Sequence, residues 1–257
     1  MTVRPVEVLT TRVLPVGVDE AGSVAASWAA DGVGRVVCAA NVHMVMEAWD
    51  DPGFATALAT ADLAVCDGRP LVWACRLQGV AGARQTRGFD LMMAVCALAA
   101  RRGLKVGLYG GAPAVTDEVR RRLLERFPGI DLAYFWSSPF RPLTADEDDE
   151  AVRAIAAAGV QLLFVSLGCP KQERWMLEHR ERLDCVAFGI GAAFDMLAGS
   201  VRVAPRWMQR LGLEWLFRFV EEPRRLWRRY ARHNGRFVVL ALRQGIRERR
   251  RRGVVRV

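Results

Sequence analysis

The chain has 257 residues, 52% of them hydrophobic and 25% charged, which supports a sizeable core and excludes an intrinsically disordered protein. Its longest apolar runs, 91–100 and 237–242, fall well short of the roughly 18 residues needed to span a bilayer. The N-terminus lacks the apolar stretch and small-residue cleavage site of a secretory signal, so a cytoplasmic protein is expected.

The formal charge of +9 is unevenly spread. Residues 196–257 hold 17 arginines, no lysine and four glutamates, a balance of +13, so the first 195 residues carry −4. The basic segment seeks polyanions: anionic lipid, a diphosphate or nucleic acid. Cys38, Cys66, Cys75, Cys96, Cys169 and Cys185 form no C-x-x-C pair and read as small buried thiols. His43, His179 and His233 are far apart without ligand-like spacing, so no metal site is expected from them.

In chain order, strands are predicted at 35–40, 63–66, 105–109, 130–134, 162–167 and 185–190. Helices are predicted at 52–61, 88–102, 113–127, 144–158 and 170–183, with Pro113 and Pro170 suited to first helical turns. This alternation implies an α/β fold with a mostly parallel sheet and helices on both faces. Past residue 195 the strands stop. Helices are predicted at 206–221 and 223–252, the second interrupted near Asn234-Gly235. The chain therefore divides into a core, 1–195, and a basic helical appendage, 196–257. Trp207, Leu211, Trp215, Phe219, Trp227 and Tyr230 lie among its arginines. Such a face suits an anionic membrane surface, or else packs on the core and solvates its charges.

Ligands of open parallel sheets bind beyond the carboxyl ends of the strands. Asn41, Asp67-Gly68, Gly110-Gly111 and Lys171-Gln172 follow four predicted strands and converge on that edge. Asp67 reads either as a desolvated proton acceptor or as a helix N-cap. Asn41 reads either as a cap or as a hydrogen-bonder to a ligand. Gly110-Gly111 opens a helix, where free amides favour an anion such as a diphosphate, or makes an ordinary tight turn. Arg84 and Arg87 are candidates for a substrate phosphate or sugar, with surface solvation as the alternative. Gly189-Ile190-Gly191 is half of a dinucleotide fingerprint, with Phe194 in place of the third glycine. Asp146-Glu147-Asp148 matches a metal-holding D-x-D but reads as a solvated helix start.

Together these residues resemble the WecG/TagA/CpsF family, glycosyltransferase family 26. The matching strings include Asn41-Val42-His43, Ala61-Asp62-Leu63, Asp67-Gly68, Arg87-Gly88-Phe89-Asp90-Leu91, Gly168-Cys169-Pro170-Lys171-Gln172-Glu173, Gly189-Ile190-Gly191, and Gly212-Leu213-Glu214-Trp215-Leu216-Phe217-Arg218, in that order. The resemblance implies a Rossmann-like core and an inverting transferase. Such an enzyme moves a sugar from a UDP-sugar onto an undecaprenyl-diphosphate-linked saccharide at the inner membrane face, with N-acetylmannosamine the favoured sugar. It implies Asp67 as general base, with Asn41, Gln172 and one of Arg84 or Arg87 as substrate contacts, and an appendage that completes the site with arginines. With no credible D-x-D or histidine cluster in the sequence, no cofactor and no metal are expected, so protein groups would meet the charge of the departing UDP.

Two positions depart from the family pattern. Ala39 stands where threonine is frequent, and the arginine before the Gly88-Phe89-Asp90-Leu91 string aligns nearer Gln85. Pro139-Phe140-Arg141-Pro142 resembles members acting in exopolysaccharide assembly, which keeps a glucosyl- or glucuronosyltransferase as an alternative.

Within the appendage, Arg218, Arg225 and Arg228 fall at intervals of seven and three, and at least the last two share a helix face. They are expected to reach the acceptor's diphosphate or the departing UDP. Arg247, Arg249, Arg250, Arg251 and Arg252 would hold anionic lipid, and a core lacking the arm is expected to stay folded. Nucleic acid is not the expected partner, because a nucleic-acid-binding tail would leave the core without a task. A nicotinamide enzyme lacks a complete glycine fingerprint. Self-association stays open.

Overall fold

The computed structural model describes residues 4–139 and 141–254, apart from the side chains of Arg210, Arg225 and residues 252–254. Phe140 of the exopolysaccharide-like string lies outside the described residues. A short antiparallel hairpin, β1 (Val6–Val8) and β2 (Thr11–Val13), precedes the main sheet. That sheet comprises β3 (Arg35–Ala40), β4 (Leu63–Cys66), β5 (Lys105–Gly110), β6 (Asp131–Trp136), β7 (Leu162–Ser166) and β8 (Val186–Gly189). Its order is β4-β3-β8-β7-β5-β6, and every neighbouring pair is parallel. β4 and β8 are buried along their whole length, as parallel strands covered on both faces must be.

The helices of the core are α1 (Val18–Trp28), α2 (Val42–Asp50), α3 (Pro52–Leu58), α4 (Arg69–Leu77), α5 (Gly88–Arg102), α6 (Pro113–Arg126), α7 (Ala145–Ala157), α8 (Lys171–His179) and α9 (Ala193–Ala198). One face of the sheet buries Leu91, Val95, Phe164, Phe188 and Phe194 under α5, α6 and α9. The other buries Met44, Val45, Leu71, Val72 and Met176 under α2, α4 and α8. The expected α/β fold with helices on both faces is what forms. The hairpin, α1, α2 and α9 were not expected from sequence: three-residue strands and helices of only two or three turns give too little periodicity to read.

The appendage differs in two respects from the sequence reading. The single helix expected at 206–221 is two, α10 (Arg206–Leu211) and α11 (Glu214–Glu221). Gly212 breaks them at φ +74°, where a Cβ would come within 2.9 Å of the Trp73 ring. The interruption expected near Asn234-Gly235 does not occur. α12 (Pro223–Val254) runs through it as one helix. Glycine costs a helix about 1 kcal/mol, and packing of Phe237 and Ala241 on α2 and α4 offsets it. Further along, the Gln244 amide accepts from the Leu9 amide and donates to the Glu7 carbonyl, tying α12 to the hairpin.

All six cysteines are free thiols, five of them buried. No described helix is long and apolar enough to cross a membrane.

Candidate active site

The carboxyl ends of β3, β4, β7 and β8 open into a cleft of about 690 Å³, walled on its far side by α11 and α12. Asp67 lies at its floor, directly after β4. Gly68, not Asp67, is the N-cap of α4, so the capping reading of Asp67 is replaced. Four hydrogen bonds fix this turn. The Asp67 amide donates to the Ala40 carbonyl at 2.8 Å, and the Thr86 amide to the Cys66 carbonyl at 2.8 Å. The Gln85 side chain donates to the Asp67 carbonyl, and the Gly88 amide donates to Asp67 Oδ1 at 2.9 Å.

The carboxylate keeps an edge open to the cleft, yet protein surrounds it closely enough to exclude most bulk water. That desolvation raises its pKa to about 6, against the Gly88 amide and the Arg218 guanidinium, which favour the ionised form. Glu214 opposes them from α11. Asn41 is a helix cap that also lines the cleft. Its Oδ1 caps α2 by accepting from the Met44 amide at 3.2 Å, and its side chain lies close enough to Asp67 to favour the ionised carboxylate.

Across the cleft, Gln172 is 2% exposed and donates to Glu173 Oε1 at 2.7 Å. Gln172 Oε1 and Glu173 Oε2 are buried without partners. Burial pushes the Glu173 carboxyl upward, toward the protonated form. The Gln172 oxygen is thus a spare acceptor at the cleft wall, and a protonated Glu173 carboxyl holds a spare donor beside it.

The sequence profile of the Glycosyl transferase WecG/TagA/CpsF family matches residues 6–251. The chain belongs to this family. Among named relatives, an N-acetylglucosaminyldiphosphoundecaprenol N-acetyl-beta-D-mannosaminyltransferase of Bacillus spizizenii is 32% identical over 197 residues, 76% of this chain and 74% of that protein. A protein of the same name from Bacillus subtilis is 28% identical over 198 residues, 77% of this chain and 75% of that one.

The glycosyltransferase gathers only some of the expected residues at its cleft. Asn41, Asp67, Arg87, Gln172 and Arg218 line it. Arg84 instead lines an adjoining recess of about 440 Å³, with Arg69, Arg76 and Arg206, and Arg87 borders both spaces. Arg87 is paired with Asp90 at 2.7 and 2.9 Å.

Gly110, Gly111 and Lys171 do not line the cleft, which corrects their expected convergence there. β5 stands two strands beyond β8, and the Gly111 amide is spent on the Ser166 carbonyl at 2.9 Å rather than free for an anion. Arg228 is likewise turned away, exposed over the Trp227 ring. The apolar repeat Leu226, Phe237 and Ala241 fixes which face of α12 meets the protein, and that face carries Arg229 into the cleft instead. The Arg225 side chain lies outside the described residues.

Two other expectations change. Asp148 is not merely a solvated helix start: it accepts from Trp175 Nε1 and meets His179 Nε2, each at 2.7 Å. Glu147 forms the capping box with Thr144. The histidines do not all stay apart. α12 brings His233 against His43 and Glu47, with ligand atoms within 4.8 Å of one another. Sequence separation hid this group; only His43 and Glu47, four apart on α2, could have signalled it.

Proposed function

We propose that this transferase moves N-acetylmannosamine from its UDP-sugar onto the N-acetylglucosamine of an undecaprenyl-diphosphate acceptor, with inversion. The observation that carries the mechanism is Asp67: a carboxylate with a pKa raised to about 6, held rigidly at the floor of a cleft large enough for a nucleotide sugar. The names of the two Bacillus relatives support the sugar and the acceptor.

The acceptor hydroxyl attacks the anomeric carbon of the donor and gives its proton to Asp67. The bond from that carbon to the UDP oxygen breaks, and negative charge grows on the diphosphate. Arg218 and Arg229, both partly buried with Nε atoms lacking partners, supply guanidinium donors to that charge. Arg87 contributes from the mouth of the adjoining recess. The orphan Gln172 oxygen accepts from a donor hydroxyl or amide.

The enzyme sits peripherally on the inner face of the cell membrane. Trp207, Leu211, Trp215, Val220 and Trp227 are exposed on α10, α11 and the start of α12, beside the cleft. A lipid-linked acceptor then enters from that side, and Arg247, Arg249 and Arg250 extend the basic surface along α12.

A donor screen tests the reading, using purified protein, a lipid-diphosphate N-acetylglucosamine analogue and a panel of UDP-sugars. UDP-N-acetylmannosamine should be consumed. Exclusive use of UDP-glucose or UDP-glucuronate would replace the sugar and leave the mechanism standing.

A further inference from the structure

His43, Glu47 and His233 have no part in the transfer chemistry above, yet they meet where α12 crosses α2. Glu47 Oε1 lies 3.7 Å from His43 Nδ1 and 3.2 Å from His233 Nε2. The two imidazoles are 5.3 Å apart between centroids and tilted by 52°. A tetrahedral divalent ion with bonds of 2.0–2.2 Å holds its ligand atoms about 3.3 Å apart. Two edges of the triangle already have that size.

Hydrogen bonding within the group is incomplete in a specific way. The Cys169 backbone carbonyl approaches the His43 ring and favours a ring proton on that side. His43 Nδ1 is then a buried lone pair without a partner, facing a carboxylate oxygen that is also an acceptor. Two acceptors turned toward each other are stabilised by a cation between them. His233 is 2% exposed, and its Nδ1 is also without a partner. A change of tautomer there frees Nε2 to ligate without loss of charge. The Cys169 carbonyl behind His43 is the kind of outer partner that orients ligating histidines.

We propose that His43, Glu47 and His233 bind one divalent cation of the zinc type, which clamps the arm helix α12 to α2 at the wall of the cleft. Two imidazoles and one carboxylate suit Zn²⁺ and neighbouring first-row ions better than Mg²⁺ or Ca²⁺. Both histidines line the cleft, so a remaining coordination position faces its contents. The ion is distinct from any metal on the UDP diphosphate, and the proposal does not depend on the identity of the sugar.

Nearby charge sets a further expectation. Arg232 and Arg236 are occupied by Asp50, at 3.3 Å and at 2.7 and 2.9 Å. Arg229, also near His43, is the main charge opposing an ion.

The test uses full-length protein without a histidine tag, stripped with a chelator and titrated with Co²⁺ and Zn²⁺. Cobalt should bind at one ion per chain with the visible absorption of a low-coordinate site, and zinc should raise the melting temperature. Glu47→Gln and His233→Gln should each weaken binding by more than the roughly 10–100-fold that losing an outer-shell partner costs. Both should also lose the zinc-dependent rise in melting temperature. If either variant fails to fold in the metal-free state, His43→Asn, at the less buried of the two histidines, takes its place. Arg229→Gln should bind cobalt more tightly. No cobalt spectrum in the unaltered protein, unchanged binding in the ligand variants, or weaker binding in Arg229→Gln would each overturn the proposal.

Discussion

Asp67 Oδ1 accepts a hydrogen bond from the Gly88 backbone amide at 2.9 Å, across 21 residues of sequence. Gly88 opens α5, so the carboxylate meets the positive end of a helix as well as one amide. Desolvation raises the Asp67 pKa and this contact restrains the rise. The balance leaves a carboxylate that is ionised at neutral pH yet basic enough to take a proton.

The rate should therefore fall on acidification with an apparent pKa near 6, as Asp67 becomes protonated. Asp67→Asn should lower turnover by about 10²–10⁴. Stability should move the other way. Because the folded-state pKa is raised from 3.8 to about 6, the native state loses stability as pH climbs through that window. The loss is at most about 3 kcal/mol. Asp67→Asn removes it, so the variant should melt higher than the parent at pH 7.5 and show no such gain at pH 3.5. A pH–rate profile and paired melting curves check both.

A side chain at position 88 should disturb the base through its positioning. A Cβ there would lie 2.7 Å from the Ile190 carbonyl and 3.3 Å from Ala39 Cβ, so the start of α5 must shift. Gly88→Ala should reduce turnover while largely sparing donor affinity. Weakening the amide contact should also carry the acid limb of the rate profile to higher pH. An unchanged limb would mean that the Gly88 amide does not tune Asp67.

The arginines of the arm should separate by face. Loss of a charged hydrogen bond costs about 1.5–3 kcal/mol, or roughly 10–150-fold in rate where the bond is made in the transition state. Arg218→Gln and Arg229→Gln should each fall in that range, and Arg228→Gln should not. Steady-state kinetics on a water-soluble acceptor distinguishes them without interference from membrane binding.

Two surface sets should weaken vesicle association by different physics. Replacing Arg247, Arg249 and Arg250 with glutamine removes about 1 kcal/mol each on anionic vesicles, an effect that disappears at high salt. Replacing Trp207 and Trp227 with serine should weaken binding at every salt concentration, because apolar insertion is not screened. Co-sedimentation at low and high salt reads both. Removing α12 altogether is a poorer probe: it uncovers the surface that Phe237 and Ala241 bury, and the remaining core should melt well below the intact chain.

The sequence alone determined the class of sheet, the position of Asp67 and the basic character of the C-terminus. These are local properties. A buried parallel strand shows as a continuous apolar run, a strand end places its next polar residue on the ligand edge, and charge can be counted. The strings from Asn41 to Arg218 carried the family for the same reason, since each is short and contiguous.

What only the tertiary structure decided depends on which distant segments touch. Gly110 and Gly111 end a strand of the same sheet but lie off the cleft, because strand order is not written in any one strand, and Lys171 follows a cleft strand yet stands on the exposed side of α8. Arg229 rather than Arg228 enters the cleft, because the packing of Leu226, Phe237 and Ala241 sets the rotation of α12. His233 reaches His43 and Glu47 because α12 packs across α2 with Leu226, His233 and Phe237 on one buried face. Spacing along one helix predicts who shares a face; only packing against another element decides what that face meets.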